Sequence, residues 1–146
     1  KEIRKQWGGK VIIKGILDAE DARAAVNVGA DAIVVSNHGG RQLDGALSAI
    51  KALPAIVDAV GDKAEVWMDG GIRSGQDVLR AIAMGAQGTL IGRAFLYGLG
   101  AGGQAGVTKA LEIIHKELDL TMGLCGQPEL RKVDSSILLA AESDHR

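Results

Sequence analysis

A histidine and an arginine stand three residues apart, His38 and Arg41, in the glycine-bracketed run Ser36-Asn37-His38-Gly39-Gly40-Arg41-Gln42-Leu43-Asp44. An imidazole can take a proton near neutral pH, and a guanidinium presents a planar fork to a carboxylate. The pair suits removal of a proton from a small carboxylic acid. It would equally suit a hydrogen-bonded loop histidine beside an arginine paired with Asp44. Two further groups read as anion sites. Asp69-Gly70-Gly71-Ile72-Arg73 and Gly92-Arg93 join glycines, which let a phosphate approach the backbone, to arginines that add bidentate charge. The plainer reading is turn glycines and solvated arginines. Lys14 closes an apolar run, where it would stabilise an anion, form a Schiff base or snorkel to solvent. His115 and His145 read as surface residues, and Cys125, in a Gly-Leu-Cys-Gly context, reads as inert.

Apart from His115, His145 and Cys125, these groups share one feature: each follows a short β-branched run. The runs are Val11–Lys14, Ala32–Ser36, Glu65–Asp69 and Gly88–Gly92, and they alternate with helical patterns over Asp18–Val28, Leu47–Val60, Ser74–Met84 and Val107–Leu124. Asp18 is the expected N-cap of the first and Gly29 its stop; Pro54 is expected to break or restart the second. From Gln127 onward no pattern is left, and 128–146 reads as a tail. An internal repeat supports the division. Asp21–Ser36 aligns with Asp77–Gly92 at an offset of 56, two βα units of about 28 residues each. Such repeats build parallel sheets with helices outside, and strands apolar on both faces belong in a sheet covered on both sides. A doubly wound sheet and half of a (β/α)8 barrel both fit. The abrupt start, without Met, favours the half-barrel, four units of the eight. In either case working groups gather at the C-terminal ends of the strands, where Lys14, His38, Arg41, the 69–73 run and Gly92-Arg93 lie.

Composition narrows the function classes. Of 146 residues, 21 are glycine and 2 proline, 47% are hydrophobic and 24% charged, as in a folded domain rather than a disordered one. Seventeen basic and eighteen acidic residues give a net charge of -1, with no basic stripe for nucleic acid. The single cysteine excludes an internal disulfide and a zinc cluster, and weakly favours a reducing compartment. The longest charge-free stretch, Ala94–Thr108, is too short and too glycine-rich to span a bilayer. Lys1–Trp7 is no signal peptide and reads as the end of an element that starts elsewhere.

Taken in order, Val11-Ile-Ile-Lys14-Gly15, the Ser36–Asp44 run, Asp69-Gly-Gly-Ile-Arg73 and Leu90-Ile-Gly92-Arg93 resemble the FMN-dependent α-hydroxy acid dehydrogenases and oxidases over residues 8 to 127. The Ser-Asn-His-Gly-Gly-Arg-Gln-Leu-Asp run is highly specific. Gly92–Leu99 and Gly103–Val107 look most like the bacterial respiratory L-lactate-oxidising branch. The resemblance implies an α/β fold, the C-terminal half of an FMN-binding TIM barrel over 1–127. It implies His38 as active-site base, Arg41 on the substrate carboxylate, and Lys14 near the flavin N1 and C2 carbonyl. Ser36 would touch the flavin ring, and Asp69, Gly70, Gly71, Ile72, Arg73, Gly92 and Arg93 would hold the ribityl chain and phosphate. The reaction would oxidise an L-2-hydroxy acid, L-lactate to pyruvate, passing two electrons to FMN. The implied partners are the small hydroxy acid, the N-terminal half of the barrel and further copies in a tetramer-type homo-oligomer; the implied place is the cytoplasm, peripheral on the inner membrane face in respiratory members. The first half of such a barrel would add active-site tyrosines and a carboxylate for the histidine, so the chain reads as a fragment or one of two pieces. A Schiff-base aldolase acting through Lys14 and a non-catalytic flavin-binding module are the alternatives.

Overall fold

A computed structural model describes residues 2–139; His145 and residues 140–146 of the expected tail lie outside them. The elements in chain order are α1 (Glu2–Trp7), β1 (Ile12–Ile16), α2 (Ala19–Asn27), β2 (Ala32–Val35), α3 (Ala49–Val60), β3 (Glu65–Asp69), α4 (Gly75–Ala83), β4 (Gly88–Leu90) and α5 (Arg93–Leu124). The four strands are parallel and lie in sequence order, β1-β2-β3-β4. A doubly wound sheet reverses its strand order at a switch point. None occurs here, so the order is that of four barrel units.

The local signals act as the sequence requires. Asp18 caps α2 by accepting from the N–H groups of Glu20 (2.8 Å) and Asp21 (3.2 Å). Ser74 and Asp77 form a capping box on α4. Gly29 and Gly85, equivalent positions in the repeat, end their helices at φ +97° and +99°. The repeat extends to hydrogen bonding. Asp31 Oδ2 accepts from the Val11 N–H at 2.8 Å, and Gln87 Oε1 accepts from the Val66 N–H at 2.8 Å. In each unit pair, the residue before one strand thus ties down the start of its neighbour.

Ile33, Val35, Val66 and Met68 face α2 and α3 and form the core with Leu53 and Ile56. Alternation turns Lys14, Val34 and Trp67, which are in register, toward the barrel axis. Ser36 and Asp69 continue that face at the strand tips.

Four expectations need correcting. β1 does not end at Lys14 but runs to Ile16, with a register shift between Lys14 and Ile16. Gly15 sits in this bulge at φ +100°, a conformation that suits glycine. β4 is shorter than expected, ending at Leu90. Pro54 lies inside an unbroken α3. Proline costs a helix interior about 3 kcal/mol, but Leu53, Ile56 and Val60 are each 0–1% exposed. Burying three such side chains contributes roughly 5 kcal/mol or more, so packing holds the helix together. The last helix begins at Arg93, not Val107, and breaks at Gly102–Gly103. The chain folds back there: a Cβ on Gly98 or Gly106 would collide with the other's carbonyl oxygen. Gly75 meets the α5 backbone near Leu118 just as closely. Beyond Gln127, Leu130 and Val133 pack on Leu79 and Ala83 of α4, and Val133 is buried. This packing follows no helical or strand period.

Asp31 also binds α1 to the sheet, through the Arg4 guanidinium and through Lys10 Nζ at 2.9 Å. The Arg4 hydrogen bond, then the Val11 N–H and Lys10, hold its carboxyl well below the usual aspartate range. A depressed carboxylate adds stability that is complete above about pH 4, the unfolded value, and is lost as pH falls below it. Thermal melts at pH 7 and pH 3 are expected to show Asp31→Asn less stable than the parent at pH 7 and less sensitive to acid. Equal acid sensitivity in both proteins would contradict this role.

Candidate active site

The tips of all four strands open into one cavity of about 400 Å³. Lys14, His38, Arg41, Asp69, Gly70, Gly71, Ile72, Arg73, Gly92 and Arg93 all line it. Of the expected site residues only Ser36 does not.

Ser36 is the one buried polar side chain among the described residues, 1% exposed. Its Oγ accepts from Lys14 Nζ at 2.7 Å and from the His38 N–H at 3.1 Å. Lys14 Nζ also pairs with Asp69 Oδ2 at 2.5 Å. The hydroxyl therefore underpins the mouth rather than facing it. An ammonium engaged by a carboxylate and a hydroxyl is a fixed positive charge. That arrangement suits electrostatic stabilisation better than Schiff-base attack, which needs a free amine.

His38 has φ +55°, the one positive φ outside glycine among the described residues. Such a conformation costs on the order of 1–3 kcal/mol and collects at functional sites. Gly39 and Gly40 continue the tight turn at +68° and +74°. The imidazole rests over Gly15: a Cβ there would lie 2.9 Å from its Cε1. Among the described residues no side chain hydrogen-bonds the ring. Gly15 was not picked out from sequence; its place after Lys14 in the first motif was the available signal.

The β3 tip turns through Gly70 and Gly71 at φ +88° and +81°. The Ile72 side chain is 5% exposed within the core, so this residue anchors the loop and offers only its backbone to the cavity. Asp77 closes the N-terminus of α4 by accepting from the N–H groups of Arg73 and Ser74, each at 3.1 Å. The N-terminus of α5 is different. Its N-cap is Gly92, with no side-chain cap, so its first N–H groups stay open to an anion. Arg41, Arg73 and Arg93 form no salt bridge among the described residues, and Arg41 does not pair with Asp44. Four cations thus face the cavity with one carboxylate, Asp69. Asp69 Oδ1 is buried without a hydrogen-bond partner. His115 and Cys125 are exposed, away from this mouth.

The arrangement defines a barrel mouth built for an anionic ligand. An open helix N-terminus, an imidazole and three arginines line it together, and the Arg93 guanidinium reaches the His38 turn, 3.4 Å from where a Cβ on Gly39 would lie. Sequence and structure comparisons agree with this class. The model of the FMN-dependent dehydrogenase family matches residues 1–140, and the chain belongs to that family. The L-lactate dehydrogenases of Caulobacter vibrioides and Pseudomonas putida are 56% and 57% identical over 138 and 137 residues. Each alignment covers 94% of this chain and 36% of the relative, so the chain spans about a third of their length. A solved mandelate oxidase with 2-hydroxy-phenylacetamide superposes with a TM-score of 0.88 at 50% identity, covering 90% of this chain and 40% of that one. Another mandelate oxidase structure, with a monooxide FMN adduct, gives 0.86 at 51% identity over 88% and 41%. The fold is a partial (β/α)8 barrel, and the family's cofactor is FMN. No helix among the described residues is long and apolar enough to cross a membrane.

Proposed function

We propose that this chain forms one side of the active site of an FMN-dependent 2-hydroxy acid dehydrogenase that oxidises L-lactate to pyruvate. The observation that carries the reading is the single cavity shared by His38, Arg41 and the two anion-binding tips. The residues fit the cofactor. Gly71, Arg73, Gly92 and Arg93 would take its phosphate, and Asp69 Oδ1 would accept from a ribityl hydroxyl. Lys14 would face the ring as a positive charge that Ser36 and Asp69 hold in place. FMN, when bound, accepts the two electrons that leave the substrate. Arg41 binds the substrate carboxylate through its planar fork, and His38 accepts a proton as the 2-hydroxy acid becomes the 2-oxo acid. By the same resemblance, the complete protein is a cytoplasmic homo-oligomer, peripheral on the inner membrane face.

The remaining barrel units can be supplied by a relative. In a chimaera, residues 8–127 replace the matching segment of C. vibrioides L-lactate dehydrogenase. Anaerobic L-lactate is expected to bleach the flavin absorbance of this chimaera, whereas the 146-residue chain alone turns over nothing. A chimaera that binds FMN yet is not bleached, or lactate oxidation by the chain alone, would refute the proposal. Arg41→Lys in the chimaera is expected to raise KM for L-lactate by roughly 10–100-fold, because loss of a bidentate charged contact costs about 1.5–3 kcal/mol. Steady-state kinetics check this, and an unchanged KM would remove Arg41 from the carboxylate site.

A further inference from the structure

Asn37 has no place in the chemistry above, yet its side chain joins two segments beside the mouth. Its Oδ1 accepts from the Gly39 N–H at 2.9 Å, and its Nδ2 donates to the Leu47 carbonyl at 3.4 Å. On the other side, a Cβ on Gly70 would lie 3.3 Å from the same Oδ1. One amide therefore ties the His38 turn to the segment entering α3 and leaves little room for a side chain at Gly70.

That position has consequences for His38. No side chain among the described residues hydrogen-bonds its imidazole, so the turn that carries it and its packing over Gly15 set its place. The backbone is in an unfavourable region, with φ +55° at His38 and +68° at Gly39. Two hydrogen bonds to side chains hold it: Ser36 Oγ on the His38 N–H and Asn37 Oδ1 on the Gly39 N–H. Ser36 links the turn to Lys14. Asn37 links it to the segment entering α3 through the Leu47 carbonyl.

We propose that Asn37 is a positioning residue for proton transfer, fixing the left-handed His38 turn through its hydrogen bond with the Gly39 N–H. The inference rests on His38 being the proton acceptor. Misplacing a reacting group by about 1 Å can cost 10²-fold in rate. In the chimaera, Asn37→Ala is expected to lower kcat by roughly 10–100-fold. Kd for FMN should stay within about threefold, because the phosphate loops are untouched. Hydrogen–deuterium exchange should rise in a peptide covering residues 36–41. Asn37→Ser, which keeps a short acceptor for the Gly39 N–H, should recover most of kcat and of the exchange protection. A kcat for Asn37→Ala within about twofold of the parent overturns the inference. So does Asn37→Ser no better than Asn37→Ala, or a loss that falls on FMN affinity. His38→Ala, measured beside them, separates the two ideas. Parental activity in His38→Ala defeats the assignment of His38 itself, whereas its collapse beside an unaffected Asn37→Ala defeats only the role of Asn37.

Discussion

Replacing His38 with alanine in the chimaeric enzyme lowers kcat by about 10²–10⁴-fold, the usual loss when a positioned general base is removed. The expected loss is chemical rather than structural. The imidazole is exposed and has no hydrogen bond from the described residues, and alanine inherits the same φ strain rather than adding to it. FMN affinity should hold, since Gly71, Arg73, Gly92 and Arg93 do not depend on the ring. Rapid-mixing measurement of flavin bleaching, beside a flavin titration, separates the two quantities. Bleaching within threefold of the parent would show that another group takes the proton. A non-catalytic flavin-binding module would instead bind FMN and show no bleaching in either parent or variant.

The second large effect is expected at Lys14. Lys14→Met removes the one ammonium that lines the mouth among the described residues and should lower kcat by about 10²–10³-fold, the range for loss of one preorganised electrostatic donor. It also strands Asp69. Oδ1 of that carboxylate is already without a partner, and Oδ2 would lose its ion pair. A second substitution, Asp69→Asn, removes the stranded charge and reports how much of the loss is structural. Lys14→Met with Asp69→Asn should regain folding stability but not rate. Borohydride treatment of the parent with substrate should leave no covalent mass on Lys14. A trapped adduct there would instead make Lys14 the nucleophile of a different barrel enzyme.

The parts of this fold legible in the sequence are those governed by short-range rules. Asp18 and Ser74 mark helix starts because their oxygens can reach N–H groups two or three residues on. Gly29 and Gly85 mark helix ends because other residues resist positive φ. The repeat between them reports the βα unit directly. Features set by contacts between distant segments were not legible. The Gly15 bulge depends on how β1 pairs with β2. Pro54 is kept helical by Leu53, Ile56 and Val60, whose burial belongs to the whole core. The first turns of α5 hide behind Gly98, Gly100, Gly102 and Gly103, which read as loop until Gly98 is found packed on Gly106. The site divides in the same way. His38, Arg41, Arg73 and Arg93 were readable because strand tips in parallel folds converge. The buried place of Ser36, the core anchorage of Ile72 and the left-handed turn at His38 are tertiary facts, and no residue type alone announces them.

The central claim is that these four strand tips form one wall of an FMN pocket, with the proton acceptor and the phosphate grip on the same mouth. A crystal structure of the FMN-loaded chimaera tests it most directly. The phosphate is expected against Gly71, Arg73, Gly92 and Arg93, with the imidazole of His38 and the guanidinium of Arg41 beside the isoalloxazine ring. A phosphate seated away from residues 92–93, or a ring out of reach of His38, would contradict it.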